Sequence, residues 1–265
     1  MNSIQVSIEA NEEEQEILIS QLMELDAEGF EQTEKHLLAY FNENVFKGYE
    51  VTKLLKGRSF FINTIGERNW NEVWEGNFQP VLVGCFCGIR AEFHEQMKGV
   101  EHEIIITPKM SFGTGHHATT HMMIEQMKEI EFKGKKVFDF GTGTGVLAIL
   151  SEKLGASMVH AIDVDNWSIA NANENVERNG CSKIAVELSS QIPHESVHII
   201  LANINRNVIL NHVAQLESQI LQGGHLLLSG LLTSDETDIV QSCHLSLSRR
   251  TERNNWISLL FSKCI

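Results

Sequence analysis

The sequence predicts an α/β protein of two domains, a small α+β unit followed by a larger one with a Rossmann-like parallel sheet. Three observations predict it. Residues 1–65 carry patterns in the order β-α-β-β-α-β; from residue 118 helices alternate with short apolar strands; and one such strand runs directly into a glycine-rich turn and a helix. A chain of 265 residues holds two such units comfortably.

Residues 3–9 (SIQVSIE) alternate with period two, as a half-buried strand does. Asn11 is a natural helix N-cap, and the acids at 12–14 suit the positive end of the helix dipole. Ile17, Leu18, Leu22 and Leu25 then recur at helical spacing. "GFEQTEKHLLAYFNE" reads as a hairpin, 44–56 as a helix with Val45, Phe46, Tyr49 and Leu54 inward, and "RSFFINTI" as a closing strand. That order is ferredoxin-like. Residues 66–80, with Trp70 and Trp74 four apart on a short helix, read as a linker, and 81–265 as the second domain.

In the second domain 118–131 is helical, "KKVFDF" is a strand, 145–155 a helix, "MVHAID" a strand, and 166–179 a helix stopped at Gly180. "IAVEL" and "VHIILAN" are strands, 207–222 is a helix stopped by Gly223 and Gly224, "HLLLSG" is a strand and 234–243 a helix. "LSLSRRTE" and "WISLLFSKC" are joined only by "RNN", too short for a crossover, so they pair antiparallel. A parallel sheet finished by an antiparallel hairpin is the methyltransferase version of this architecture.

Composition narrows the partners. The formal net charge is -14, which disfavours direct binding to nucleic acid and favours a cationic partner. Residues 1–65 hold 12 Asp/Glu against 5 Lys/Arg, a balance of -7 and half of that total. Five cysteines with one close pair suit neither a disulfide framework nor a zinc site. Cys85 and Cys87 are expected on one strand face as reduced, partly buried core residues. The first residues lack the basic start and apolar core of a signal peptide, and no apolar run is long enough for a membrane span. The expectation is a cytoplasmic protein without membrane contact.

The most informative stretch is "VFDFGTGTGVLA", residues 137–148. Gly141, Gly143 and Gly145 permit positive φ and close approach of a ligand to bare backbone, and the helix behind them offers unpaired N–H groups. A dinucleotide turn needs G-x-G-x-x-G, but its third position here is Val146, so a dinucleotide is disfavoured. The alternative ligand is S-adenosylmethionine, whose amino-acid end would lie over the turn. Asp163 ends the next strand, where a carboxylate can accept hydrogen bonds from both ribose hydroxyls. Asp139, within the first strand, would sit beneath the turn and hold its N–H groups. Asn203 ends "IILAN" at the carboxyl edge of the sheet, where an amide can steer an amine. His117 and His121, four apart, invite a metal reading, but no third ligand accompanies them and methyl transfer needs no metal.

These residues resemble one family in particular, the methyltransferase that modifies protein eleven of the large ribosomal subunit. The likeness covers nearly the whole chain. Its most specific element is "MSFGTGHHATTHMMIEQM", residues 110–127, in which Phe112, Gly113, Thr114, Gly115, His117, Thr119 and Thr120 match the family motif. "DFGTGTGVLAI", "AIDVD", "LANI" and the linker "NWNEVWEGNFQP" match as well. The resemblance implies S-adenosylmethionine as cofactor and the ribosomal protein as substrate, methylated on lysine side chains and the α-amine. It implies cofactor contacts at Thr120, Gly141, Asp163 and Asn203; Gly143, Phe112 and Gly113 complete the candidate cofactor-binding set, and Asn203, by its place at the sheet edge, is also the candidate catalytic residue. The acidic domain 1–65 would then recognise the substrate. The chain departs from the family at His116 (usually threonine), Ala118 (proline) and Thr142 (cysteine), and in "NRNVIL" after "LANI". Two other readings stay open, methylation of a glutamine amide or small molecule, and a non-catalytic scaffold of the same fold.

Overall fold

The structure, a computed structural model, describes residues 3–65, 78–109 and 112–264. The chain divides into two compact units, Met1–Trp74 and Glu75–Ile265. The expected linker helix carrying Trp70 and Trp74 lies outside the described residues.

The first unit contains β1 (Ser3–Glu9), α1 (Glu12–Met23), β2 (Gly29–Gln32), β3 (His36–Asn42), α2 (Gly48–Leu54) and β4 (Phe60–Ile65). Its sheet has the order β2-β3-β1-β4 with every pair antiparallel, the ferredoxin-like arrangement. Asn11 caps α1 through a full capping box with Glu14. Ile4, Val6 and Ile8 alternate into a core shared with Leu18, Leu22, Leu37, Val51 and Leu55. Two expectations fail here. Ile17 is exposed, and α2 begins only at Gly48, so its inward pair is Val51 and Leu55, four apart, while Val45 and Tyr49 face solvent. Val45 precedes the helix altogether, which is why helical spacing counted from it selects the wrong face.

The second unit opens with a three-stranded sheet of β5 (Val81–Val83), β6 (Cys87–Ala91) and β7 (His102–Ile106) that the sequence patterns did not announce. The hairpin between β5 and β6 turns at 84–86, so Cys85 is exposed on the turn while Cys87 begins the strand and is buried. The two thiols therefore do not share a strand face. Burial pushes the Cys87 thiol up to about 12, which leaves it inert.

There follow α3 (Ala118–Met127), β8 (Lys136–Phe140), α4 (Val146–Lys153), β9 (Met158–Asp163), α5 (Asn166–Arg178), β10 (Ile184–Leu188) and β11 (Val197–Asn203). Then come α6 (Arg206–Gln219), β12 (Ile220–Leu232), α7 (Glu236–Ser242), β13 (Ser246–Arg253) and β14 (Trp256–Ser262). The sheet order is β10-β9-β8-β11-β12-β14-β13, parallel except that β14 runs antiparallel between β12 and β13. Asn254 and Asn255, both at positive φ, form the two-residue turn of that last hairpin. α5 ends at Gly180 (φ 64) in a Schellman motif, with Cys181 N–H reaching the Val176 carbonyl and Gly180 N–H the Glu177 carbonyl. α6 does not run to the glycine pair as expected. It stops at Gln219, and Gly223 and Gly224 lie inside β12, where a side chain on Gly224 would meet the His198 carbonyl at 2.4 Å.

Two apolar clusters cover the faces of this sheet. Val137, Ile149, Val159 and Leu201 belong to one, and Phe138, Ile200, Leu228 and Phe261 to the other. Because β8 lies between β9 and β11, their carboxyl ends converge on one edge, the place where open α/β sheets bind ligands.

Candidate active site

The glycine turn leaves β8 at that edge. Gly141, Gly143 and Gly145 have φ of 79, 53 and 81°, a left-handed run that residues with a Cβ resist. A Cβ on Gly141 would sit 2.3 Å from Ile204 Cγ2, and one on Gly143 would sit 2.3 Å from the Phe112 carbonyl oxygen. The turn is thus bare backbone pressed between the chain after β11 and the segment at Phe112. Val146, in place of a third dinucleotide glycine, is buried in the apolar cluster on the α4 side.

Asp163, at the end of β9, braces the turn. Its Oδ2 accepts the Gly143 N–H at 2.9 Å and its Oδ1 the Asp165 N–H at 3.0 Å. Burial pushes its carboxyl above the usual range, and those two N–H donors pull it back. Both oxygens keep a further lone pair for a ligand. The N-cap of α5 is Asp165, which accepts the Ser168 N–H at 2.7 Å and leaves Asp163 out of that role.

Asp139 sits beneath the turn as expected but does not hold its N–H groups. Gly141 and Thr142 N–H groups go to the Ile162 carbonyl, Gly143 N–H to Asp163, and Thr144 N–H to the Phe112 carbonyl. Three of these donors turn to β9 and the fourth to the segment at Phe112, which leaves none of them for Asp139. Fully buried Asp139 instead accepts the Thr142 hydroxyl at 2.6 Å, and burial pushes its carboxyl up to about 7.

Asn203 ends β11 beside the turn, since its neighbour Ala202 pairs with Phe140. Its Nδ2 donates to the Thr120 hydroxyl at 3.1 Å, which ties β11 to the first turn of α3. Its Oδ1 is buried without a hydrogen-bond partner among the described residues. His117 is the N-cap of α3, its ring nitrogen accepting the Thr119 N–H. Among the described residues no three His, Cys, Asp or Glu side chains gather as a metal site.

The structure therefore brings Gly141, Gly143, Asp163, Phe112 and Gly113 together around the turn, and Thr120 and Asn203 together beside it. Sequence reasoning missed Thr144, whose hydroxyl donates to the Gly113 carbonyl at 2.8 Å. No local signal marked it, because the carbonyl it binds lies 31 residues earlier in the chain.

The family model described as "Ribosomal protein L11 methyltransferase (PrmA)" matches residues 2–264 of this chain. The chain belongs to the ribosomal protein L11 methyltransferase family. A relative of that name from Porphyromonas gingivalis is 38% identical over 261 residues, covering 93% of this chain and 90% of its own. One from Chlorobaculum parvum is 38% identical over 251 residues, covering 89% and 86%. The solved structure of a ribosomal protein L11 methylase from Lactobacillus delbrueckii subsp. bulgaricus superposes with a TM-score of 0.66 at 27% identity, covering 71% of this chain and 100% of that one. The sheet is accordingly the Rossmann-like class I methyltransferase sheet.

Within the ribosomal protein L11 methyltransferase family, the departures of this chain have local physical accounts. Ala118 is the first residue of α3, where proline is favoured but alanine serves equally as a helix former. His116 packs edge-on to Phe78 with ring centroids 4.9 Å apart. Thr142 supplies the hydroxyl bound to Asp139. In "NRNVIL", Asn205 caps α6 by accepting the Val208 N–H, and Arg206 pairs with Asp235 and Asp238.

Proposed function

We propose that this protein transfers methyl groups from S-adenosylmethionine to amino groups of large-subunit ribosomal protein L11, both lysine side chains and the α-amine. The observation that carries the reading is Asn203, whose buried carbonyl oxygen has no partner among the described residues beside the glycine turn. A buried acceptor of this kind costs stability unless a ligand satisfies it. An amine N–H is the matching donor.

The residues fit S-adenosylmethionine. The Asp163 carboxylate would hold the ribose hydroxyls, and the bare backbone from Gly141 to Gly145 would carry the amino-acid end, with Phe112 and Gly113 closing over it. The bound cofactor supplies an electrophilic methyl on a sulfonium. The task of the protein is alignment. Asn203 Oδ1 accepts one N–H of the acceptor amine and so directs its lone pair, while Thr120 fixes the amide by accepting from Nδ2. A lysine amine is protonated in water, and desolvation on binding at this edge would favour its neutral form, the proton being left to solvent.

The unit Met1–Trp74 is the recognition domain on this reading. Its residues 1–65 carry a net charge of -7, complementary to a basic protein. No helix among the described residues is long and apolar enough to cross a membrane, and ribosomal proteins are met in the cytoplasm, where we place the reaction.

Incubation with methyl-labelled S-adenosylmethionine and a panel of purified ribosomal proteins tests the proposal. Label is expected on L11, at amines. Label at a glutamine amide, on another protein, or on none of them would overturn it.

A further inference from the structure

We infer that Thr144, backed by Asn175, is a positioning residue that latches the Phe112–Gly113 segment onto the glycine turn and so sets the grip on S-adenosylmethionine. The inference rests on the function proposed above. Every polar group of Thr144, itself fully buried, is committed. Its N–H donates to the Phe112 carbonyl at 3.0 Å, and its hydroxyl donates to the Gly113 carbonyl at 2.8 Å. Its own carbonyl accepts from Asn175 Nδ2 at 2.8 Å. Two of the three bonds hold the segment, and the third holds Thr144 to α5.

Asn175 is fully buried and part of a stripe with Asn171 and Asn179, four residues apart along one face of α5. It donates to Asn171 Oδ1 at 2.6 Å and accepts the Thr107 N–H at 2.8 Å. Asn179 accepts the Ile105 N–H at 3.0 Å and donates to the Ile105 carbonyl at 2.6 Å. The stripe pairs with β7 and the residues after it much as a neighbouring strand would. The path toward Phe112 is thereby fixed at Ile105 and Thr107 by α5, and again at Phe112 and Gly113 by Thr144.

The contact between segment and turn offers little else. The Phe112 carbonyl rests where a Gly143 Cβ would be, at 2.3 Å, and a Gly113 Cβ would come within 2.9 Å of Thr144 Oγ1. Bare backbone meets bare backbone there, so apolar side-chain packing contributes little. Directional bonds from Thr144 are left to define the position of Phe112 and Gly113. Removing the hydroxyl leaves the Gly113 carbonyl without its donor and frees the segment on the side that faces the cofactor.

The test compares Thr144→Val, which keeps the shape and loses the donor, with Thr144→Ser, which keeps the donor. Ser258→Ala is the control, since it deletes another buried hydroxyl, bound to the Leu228 carbonyl at 3.0 Å in the same unit. S-adenosylmethionine affinity is read by calorimetry and stability by thermal melting, on the full chain. Thr144→Val should weaken binding about 5–20-fold, Thr144→Ser less than about twofold, and Ser258→Ala should lower the melting temperature with affinity unchanged. Should Thr144→Val not fold, Thr144→Cys, a weak donor of similar size, must fall between the wild type and that loss. Wild-type affinity in the Val or Cys variant, or an equal loss in Ser258→Ala, overturns the latch alone. A wild-type protein that does not bind S-adenosylmethionine overturns the latch and the proposed function together.

Discussion

Asn203 donates to the Thr120 hydroxyl at 3.1 Å while its own carbonyl oxygen is buried with no partner among the described residues. One half of the amide is therefore anchored and the other is held ready for a donor. Asn203→Ala removes an acceptor whose geometry matters most in the transition state, so kcat should fall about 100-fold while S-adenosylmethionine affinity changes less than about threefold. Single-turnover rates beside calorimetric affinities decide it. Equal losses in both would make the residue a cofactor contact only.

Asp163 braces the turn through Gly143, and on the proposed reading its remaining lone pairs take the ribose hydroxyls. Asp163→Ala should weaken S-adenosylmethionine binding by about 10–100-fold, from two lost charge-assisted bonds and a loosened turn. Calorimetry measures it, and unchanged affinity would place the ribose contact elsewhere.

Asp139 predicts a slope in stability with pH. Its folded pKa is pushed up to about 7 by burial, from an ordinary value of 3.8. Below the unfolded value both states are protonated, and the stabilisation from keeping that proton is complete. As pH rises toward 7 the unfolded chain gives up the proton while the folded chain retains it, so stability falls, and it levels off above 7. Asp139→Asn abolishes this contribution. Its stability relative to wild type should therefore grow between pH 4 and 7, by at most about 4 kcal/mol. Denaturant melts of both proteins across that range measure the difference, and parallel curves would contradict the assignment.

Charge on residues 1–65 predicts a salt effect confined to one substrate. Raising ionic strength toward 1 M, where the Debye length is about 3 Å, should raise KM for L11 several-fold and leave S-adenosylmethionine affinity nearly unchanged. Initial rates at varied salt measure it. A KM indifferent to salt would remove the electrostatic part of recognition.

Elements with an unbroken period were legible in the sequence. β1, β8, β9 and β11 each alternate or run apolar to a clear stop, and the turn after β8 shows its three glycines openly. Asp163 and Asn203 were legible because a strand end is a fixed place on the sheet edge. Other features depended on partners far along the chain. The inward face of α2 is set by where the helix starts, and no cap marks Lys47, whose side chain makes no capping bond. Gly223 and Gly224 look like a helix stop, but both lie inside β12, and Gly224 sits where that strand passes close to the His198 carbonyl. Thr144 and Asn175 act on backbone groups 31 residues away, a relation no local pattern encodes.

The position of β14 between β12 and β13 bears on how the protein is made. Residues 256–262 fill a slot inside the sheet and bury Trp256, Ile257, Leu259 and Phe261. A nascent chain that has not yet released Ser262 exposes the flanks of β12 and β13 and cannot close either apolar cluster. The ferredoxin-like sheet of the first unit, whose last strand ends at Ile65, meets no such wait. During synthesis the first unit can fold before the second, whose two apolar clusters close only once β14 has emerged to act as their keystone.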